Sequence, residues 1–237
     1  MQQFFYDEPL NTSDSYQLNS EVNYQLKKVL RVNNGYKFRL VDSNQSVFMC
    51  SYNDGMAYIE EKLDEYNELE TDITVILALI KNDKFDFAVQ KLTELGVNRI
   101  VPYIARRSVV KPGKGNNKLD RIKKIAREAS EQSHRNKIPE ICDYATFKDL
   151  KKYKSELNLL AYEKETKSIS DLKKYKSITY IIGPEGGFEP REVEDIIECG
   201  FDSISLGKRI LRAETAAIFL ASVIAGNEIW EVLQWWF

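Results

Sequence analysis

The sequence has a single histidine and only three cysteines among its 237 residues, and the three cysteines are scattered along the chain. Cys50, Cys142 and Cys199 form no CxxC pair and show no Cys/His spacing of the kind that holds a metal. The sequence therefore predicts no metal site. It favours three reduced, structural cysteines, which are typical of a cytoplasmic protein.

Long apolar runs are also missing. The longest, "ITVILALI" at residues 73–80, is far shorter than the roughly 20 residues that a membrane-spanning helix needs. The first residues, "MQQFFYDEPL", lack the basic-then-apolar order of a signal peptide. We therefore expect a cytoplasmic protein that does not enter a membrane.

Neither sign of charge dominates the chain, whose formal net charge is −2, but the charges are unevenly distributed. Residues 106–137 contain eleven lysines and arginines against three acidic residues, so the remainder of the chain is acidic. A basic segment in an acidic protein indicates local attraction to phosphates. A solvated helix face is the alternative.

Two patterns divide the chain. Residues 1–70 contain short alternating segments, such as "YKFRLVD" and "SVFMCSYN", beside the hairpin-type turn signals Asn34-Gly35 and Asp54-Gly55. These features predict a small β-rich domain. Residues 73–237 alternate apolar strands ("ITVILALI", "RIVPYIA", "LNLLAYE", "ITYIIG", "SISLG") with helices, including a short one at 169–176 and a long one from residue 213. This order predicts an α/β domain with a largely parallel sheet that is covered on both faces.

Three of these strands end in segments that would let a ligand approach the backbone: "LLAYE", "IIGPEGGF" and "SLGKRILRAET". Ligands of open α/β sheets bind outside the carboxyl ends of the strands, and glycine removes side-chain bulk there. Neither GxxxxGK[ST] nor GxGxxG is present, so a nucleotide loop of those types is not indicated. Ligand loops and purely structural turns both remain open at this point.

The pair "IIGPEGGFEPREVE" and "SLGKRILRAETAA" closely resembles the RsmE family of 16S ribosomal RNA uridine-N3 methyltransferases, which belongs to the SPOUT superfamily. Further blocks agree in the same order: "VLRVNNG", "DKFDFAVQKLTELGV", "RRSVVK" and "REASEQSHRNKIPEI". The resemblance covers nearly the whole chain. It implies a SPOUT-type parallel sheet with a C-terminal trefoil knot, a PUA-like β-barrel before it that binds RNA, and a homodimer. We expect the apolar face of the last helix (Ala213, Ala216, Ala217, Leu220 and Ile224) to contribute to the dimer.

The resemblance also implies S-adenosylmethionine (SAM) as the cofactor, folded against backbone groups near residues 160, 183–187 and 206–216. The cofactor-binding residues expected on this basis are Leu160, Gly183, Pro184, Glu185, Gly186, Gly187, Leu206, Gly207, Ile210, Leu211, Arg212, Thr215 and Ala216.

Methylation of uridine N3 requires the loss of its proton, and two residues of the last motif fit that chemistry. Arg212 cannot be the base because a guanidinium stays protonated, but its charge would favour the deprotonated imide. Glu214, or water, would accept the proton; a simple ion pair between Arg212 and Glu214 is the alternative. For His134 we expect phosphate contact or helix capping rather than catalysis.

The expected RNA-binding residues come from two places. Members of the family commonly carry an arginine near the start and histidines before "VLR", where this chain has Gln2, Gln3, Asn23 and Tyr24, so Lys27, Lys28 and Arg31 are expected to supply the charge instead. The basic segment adds a second set, which is Arg106, Arg107, Arg121, Lys124 and Arg135.

The resemblance therefore predicts a dimeric, SAM-dependent enzyme that methylates N3 of a uridine in small-subunit 16S ribosomal RNA. Two alternatives stay open. One is a SPOUT methyltransferase for another RNA position or a ribose 2′-hydroxyl, and the other is a non-catalytic RNA-binding assembly factor. The aromatic ending "WEVLQWWF" is expected to pack against the domain or the dimer partner.

Overall fold

The computed structural model describes residues 1–112, 117–167, 172 and 175–233, with side chains up to residue 228. The short helix predicted at 169–176 lies largely outside the described residues, as does the packing predicted for the C-terminal aromatic side chains. The chain divides into two compact units, Met1–Glu68 with Ser130–Lys137, and Leu69–Ala129 with Ile138–Phe237. The single break predicted between residues 70 and 73 therefore missed that a segment after residue 129 belongs to the first unit.

The first unit contains a five-stranded sheet in the order β1-β3-β4-β5-β2 among its described residues. Its elements are β1 (Gln3–Phe5), β2 (Ser15–Gln17), α1 (Ser20–Tyr24), a π-helical turn (Gln25–Val29), β3 (Lys37–Val41), β4 (Val47–Asn53) and β5 (Met56–Leu63). Asn19 begins α1, and its side chain accepts a hydrogen bond from the Val22 amide at 2.8 Å. A buried apolar cluster that includes Leu26, Phe38 and Leu40 forms the core of this unit.

Only one of the two predicted hairpin turns joins paired strands. Asp54 and Gly55 both have positive φ, 45° and 89°, and connect antiparallel β4 and β5, as a two-residue turn of the primed type requires. Asn34-Gly35 instead precedes β3. The β3–β4 hairpin turns at Asp42, whose carboxylate accepts hydrogen bonds from the amides of Asn44 and Ser46. An Asx-type turn of this kind gives a weaker signal in the sequence than Asn-Gly.

The second unit contains a six-stranded, all-parallel sheet among its described residues, in the order β11-β9-β10-β6-β7-β8. Its elements are β6 (Asp72–Ala78), α2 (Asn82–Glu94), β7 (Arg99–Tyr103), α3 (Asn117–Gln132), β8 (Glu140–Ile141), a 3₁₀-helix (Phe147–Tyr153), β9 (Leu157–Ala161), β10 (Ser177–Ile182), α4 (Pro190–Glu198), β11 (Asp202–Ile204) and α5 (Ala213–Leu233).

Both faces of this sheet are buried, as the continuous apolar strands predict. Alternate residues of a strand point to opposite faces, so Val75 and Leu77 of β6 join one core cluster while Ile76 joins another. The first cluster also contains residues of α2, α3 and α5, and the second contains Val193 and Ile196 of α4. The prediction of a parallel α/β sheet with helices on both faces is confirmed.

The small and apolar face of α5 is used within the protein itself. Ala217 and Leu220 are fully buried in the core beside the sheet, and the Tyr180 hydroxyl donates a 2.8 Å hydrogen bond to the Ala217 carbonyl. The expectation that Ala213, Ala216, Ala217, Leu220 and Ile224 form an intersubunit contact is therefore wrong, because intramolecular packing already covers them. Within 213–228, the part of α5 whose side chains are described, the exposed large apolar residues are Phe219 and Val223, at 43% and 36%. Among the described residues, no helix combines the length and apolar character that crossing a membrane requires.

Candidate functional site

The carboxyl ends of three neighbouring parallel strands meet at one edge of the second unit's sheet. β9 lies between β11 and β10, and the loops that follow these strands line a pocket of about 440 Å³. This volume lies within the usual range for small-molecule sites. The lining residues are Ala161, Tyr162, Glu163, Ile182, Gly183, Pro184, Glu185, Gly186, Gly187, Phe188, Ser205, Leu206, Gly207, Lys208, Arg209, Ile210, Leu211, Arg212, Ala213 and Ala216.

Two glycines of the pocket have backbone conformations that other residues rarely adopt. Gly187 has φ of +65° and Gly207 has φ of +105°. A third, Gly183, has no room for a side chain, because a Cβ atom there would lie 2.8 Å from the Phe188 ring. The motif glycines therefore shape the pocket wall, and the wall there consists of backbone.

The loop after β10 is held from both sides. The Gly187 amide donates to the Pro184 carbonyl at 2.9 Å, which closes the turn. The Glu185 carboxylate accepts from the Lys81 amide at 3.4 Å, and the Arg107 guanidinium donates to the Gly186 carbonyl at 3.4 Å. Glu185 thus braces the loop.

The turn after β9 is fixed by a carboxylate. Glu165 accepts hydrogen bonds from the Ser203 hydroxyl and from the amides of Lys167 and Thr166, and together these donors lower the pKa of the Glu165 carboxyl. The Tyr162 amide donates to the Ile204 carbonyl at 3.0 Å. These bonds tie the ends of β9 and β11 together beneath the pocket.

Eleven of the thirteen predicted cofactor-binding residues line the pocket, and two do not. Leu160 is fully buried in the core, and Thr215 is exposed on α5. Several other lining residues had no predicted role in the site, among them Glu163, Ser205, Lys208 and Arg209. Lys208 and Arg209 lie within the "SLGKRILRAET" segment, so their positive charge could have indicated a binding role from the sequence alone.

Arg212 and Glu214 do not form the ion pair that was the alternative to catalysis. Arg212 lines the pocket and is exposed, whereas Glu214 is only 9% exposed and its carboxylate lies 3.6 Å from the Lys84 ammonium. Residues two apart at a helix start point in different directions. The prediction that Glu214 acts beside Arg212 is therefore not supported by the geometry, because Glu214 does not line the pocket and faces α2.

Four of the predicted RNA-binding cations carry acidic partners, and they are called the paired cations below: Arg106, Arg107, Arg121 and Lys124. Arg106 donates to Asp195 at 2.7 Å, and Arg107 lies 3.9 Å from Glu189. Arg121 pairs with Asp86, and Lys124 lies 3.9 Å from Glu128. All four remain at least partly exposed, and the carboxylates offset their charge.

Arg135 does not lie on the surface, where the sequence-based prediction placed it. It was expected to face phosphates, but it is 3% exposed and its guanidinium pairs with the buried carboxylate of Glu68. Its neighbour His134 has φ of +57°, and the His134 Nδ1 atom lies 3.1 Å from an Arg39 guanidinium nitrogen. His134 does not line the pocket. Arg135 therefore belongs to the interior of the first unit, and His134 is half-buried in the same unit. Lys27, Lys28 and Arg31 are exposed, and their predicted contact with RNA stays a prediction.

Comparison with known proteins agrees with this geometry. The RNA methyltransferase domain family model matches residues 67–225. The ribosomal RNA small subunit methyltransferase E of Bacillus subtilis is 31% identical over 95% of this chain and 96% of its own length. The protein of that name from Mesomycoplasma hyopneumoniae is 39% identical over 71% of this chain and 75% of its own.

A solved structure extends the likeness to three dimensions. The crystal structure of ribosomal RNA small subunit methyltransferase E from Neisseria gonorrhoeae, bound to S-adenosyl methionine, matches with a TM-score of 0.89 and 28% identity, over 96% of this chain and 98% of that one. Since the family model covers more than half of the chain and a relative matches over nearly all of it, this chain belongs to the ribosomal RNA small subunit methyltransferase E (RsmE) family of RNA methyltransferases.

Proposed function

We propose that this chain is a SAM-dependent methyltransferase that methylates N3 of a uridine in the 16S RNA of the small ribosomal subunit. The observation that carries the proposal is the pocket between the GPEGG and LGKRILRAET segments, in a chain of the RsmE family. Its relatives are named for methyltransfer to small-subunit RNA, and the Neisseria protein was crystallised with SAM.

The pocket suits a folded cofactor. Gly183, Gly187 and Gly207 leave the backbone bare where side chains would fill the space, and Leu206, Leu211 and Ala216 supply apolar contact. SAM, when bound, supplies a methyl group activated by the sulfonium. The chain's task is then to hold the uracil edge in line with that methyl group and to exclude competing orientations.

Arg212 is the catalytic residue in this proposal. Its side chain is exposed at the pocket, and the part of the chain that the structure describes offers it no carboxylate partner. A guanidinium charge that is not neutralised can stabilise the negative charge that develops on the uracil as N3 loses its proton. Water, or the carboxylate of Glu163 or Glu185 in the pocket lining, accepts that proton in place of Glu214.

The finer architecture follows from the family. We place a trefoil knot in the segments that contribute to the pocket, a PUA-like RNA-binding role on the first unit's sheet, and the site of action with ribosomal RNA in the cytoplasm. We also propose a homodimer whose contact uses the exposed face of α5, where Phe219 and Val223 stand one helical turn apart.

Sedimentation tests the dimer. Phe219→Asp should convert a dimer at micromolar concentration into a monomer, because a charge would be buried without a partner at the contact. Phe87→Asp on α2, where Phe87 is 50% exposed, is the control and should leave the dimer intact. A wild-type protein that sediments as a monomer would contradict this assignment.

The function itself is tested by two measurements on the same preparation. Titration calorimetry should show SAM binding, and labelled methyl groups should be transferred to small subunits taken from cells that lack the protein. Binding without transfer would favour the non-catalytic assembly factor. The absence of both would refute the proposal.

A further inference from the structure

The pocket carries more positive charge than its proposed cofactor can match. Lys208, Arg209 and Arg212, called the rim cations below, all line the pocket and are exposed. Among the residues that the structure describes, none of the three has an ion-pair partner, whereas Arg99, Arg106, Arg107 and Arg121 of the same unit each have one. Glu163 and Glu185 also line the pocket but make no ion pair with them.

SAM cannot supply the missing negative charge. It has one carboxylate, and it also carries an ammonium and a sulfonium, so its net charge at neutral pH is positive. Its single carboxylate could pair with only one of the three rim cations, and neither Glu163 nor Glu185 forms an ion pair with the others. The groups that RNA presents in quantity are phosphates, and arginine and lysine are their usual partners.

Ile210 adds an apolar group between these charges. It lines the pocket yet is 86% exposed, an unusual position for a large aliphatic side chain. Arg209 precedes it directly, and Arg212 follows two residues later. Exposed apolar side chains flanked by cations are suited to pack against an unstacked base while the cations hold its phosphates.

We propose that the tip Lys208–Ile210 is an RNA-positioning element: Lys208 and Arg209 bind the phosphates beside the target uridine, and Ile210 packs against a base at the pocket mouth. This inference rests on the proposed function of the pocket. Ile210, which was predicted to bind the cofactor, contacts the substrate in this proposal. Lys208 and Arg209, which had no predicted role, bind phosphates.

Salt-dependent binding provides the test. Affinity for unmethylated small ribosomal subunits is measured at several KCl concentrations for the wild type, for Lys208→Ala/Arg209→Ala, and for the matched control Arg121→Ala/Lys124→Ala. Lys208→Ala/Arg209→Ala, the rim variant, should bind small subunits at least about tenfold more weakly than the wild type. The magnitude of its negative slope of log K against log salt should decrease by about 1.4 to 1.8, the value for two phosphates. The control removes the same charge and should change the slope by less than half as much.

Ile210→Ser is the second variant. It should weaken subunit binding about fivefold with an unchanged salt slope, since an apolar contact releases no counterion. SAM affinity, measured by calorimetry, should stay within about twofold of wild type in all variants. Thermal unfolding checks that each variant is folded.

Two results would overturn the inference. The first is a smaller salt dependence of subunit binding in the paired-cation control Arg121→Ala/Lys124→Ala but not in the rim variant. This result would place the RNA on the paired cations. The second is a parallel loss of SAM affinity in Ile210→Ser, which would make the tip a wall of the cofactor pocket. Failure of the proposed function has a different signature, namely a wild-type protein that binds subunits but transfers no methyl group.

Discussion

The second unit carries two sets of exposed basic residues, and they differ in whether a carboxylate offsets them. The paired cations, Arg106, Arg107, Arg121 and Lys124, face Asp195, Glu189, Asp86 and Glu128. The rim cations face none among the described residues. A phosphate that approaches a paired cation must compete with a carboxylate already in place, whereas one that approaches the rim does not. The proposed RNA surface therefore rests on cations without a carboxylate partner and not on the basic cluster that is visible in the sequence.

Most of this difference could not be read from the sequence, because three of the four paired cations have partners that are remote in the chain; only the Lys124–Glu128 pair is local. Asp86 is 35 residues from Arg121, and Asp195 is 89 residues from Arg106. Only the sheet topology brings α4 to the segment that follows β7. The +8 excess that makes the basic segment conspicuous counts acids within the segment and misses those that the fold supplies.

The largest expected effect is the loss of SAM binding when a substitution destroys the pocket. Gly187→Val and Gly207→Val should abolish SAM binding, because each residue has positive φ and a branched side chain there distorts the pocket wall. Gly35→Val is the matched control. Gly35 has φ of +89° and, like Gly207, has open space around the Cβ position, but it belongs to the first unit.

Calorimetry distinguishes a local distortion of the pocket from general destabilisation of the protein as the cause of lost SAM binding. All three valine variants should lose thermal stability by comparable amounts, and only the two pocket variants should lose SAM affinity. Wild-type affinity in both pocket variants would show that the rim cations do not border a cofactor site at all.

Arg212→Ala should have the next largest effect. The methylation rate should fall by about 10² or more, in line with the loss of one preorganised group that stabilises charge in the transition state. SAM affinity should stay nearly intact. The pH optimum should move upward, because the imide loses its proton less readily without the neighbouring positive charge. Single-turnover rates from pH 6 to 10 measure both effects. A loss of rate together with SAM affinity, at an unchanged pH profile, would make Arg212 a brace for the cofactor loop.

The smallest expected effect is a gain in subunit affinity when a paired cation loses its acidic partner. Asp86→Asn removes the partner of Arg121, so a paired cation becomes an unpaired one. Subunit affinity should rise about twofold and the salt slope should steepen by at most about 0.9, which corresponds to one phosphate. Glu94→Gln, which removes the partner of Lys91 on the same helix, is the control. An equal gain in both variants would indicate a general loss of negative charge rather than a released arginine.

The sequence predicts most of the regular structure and most of the pocket. The apolar strands, the amphipathic helices and the motif glycines are local signals, and eleven predicted cofactor residues do line the cavity. The errors concern long-range contacts. Glu68 takes Arg135 into the interior of the first unit, the sheet covers the small face of α5, and Lys84 draws Glu214 away from Arg212. Each error involves a partner that is distant in the chain, which neither periodicity nor motif spacing can identify.

Nucleoside mass spectrometry tests the central claim most directly. Small subunits from cells that lack the protein are incubated with the purified protein and SAM that carries a trideuterated methyl group, and their 16S RNA is digested to nucleosides. We expect one trideuterated 3-methyluridine per subunit with the wild type and strongly less with Arg212→Ala. Label on a ribose 2′-oxygen or on another base would contradict it, as would SAM binding with no labelled nucleoside at all.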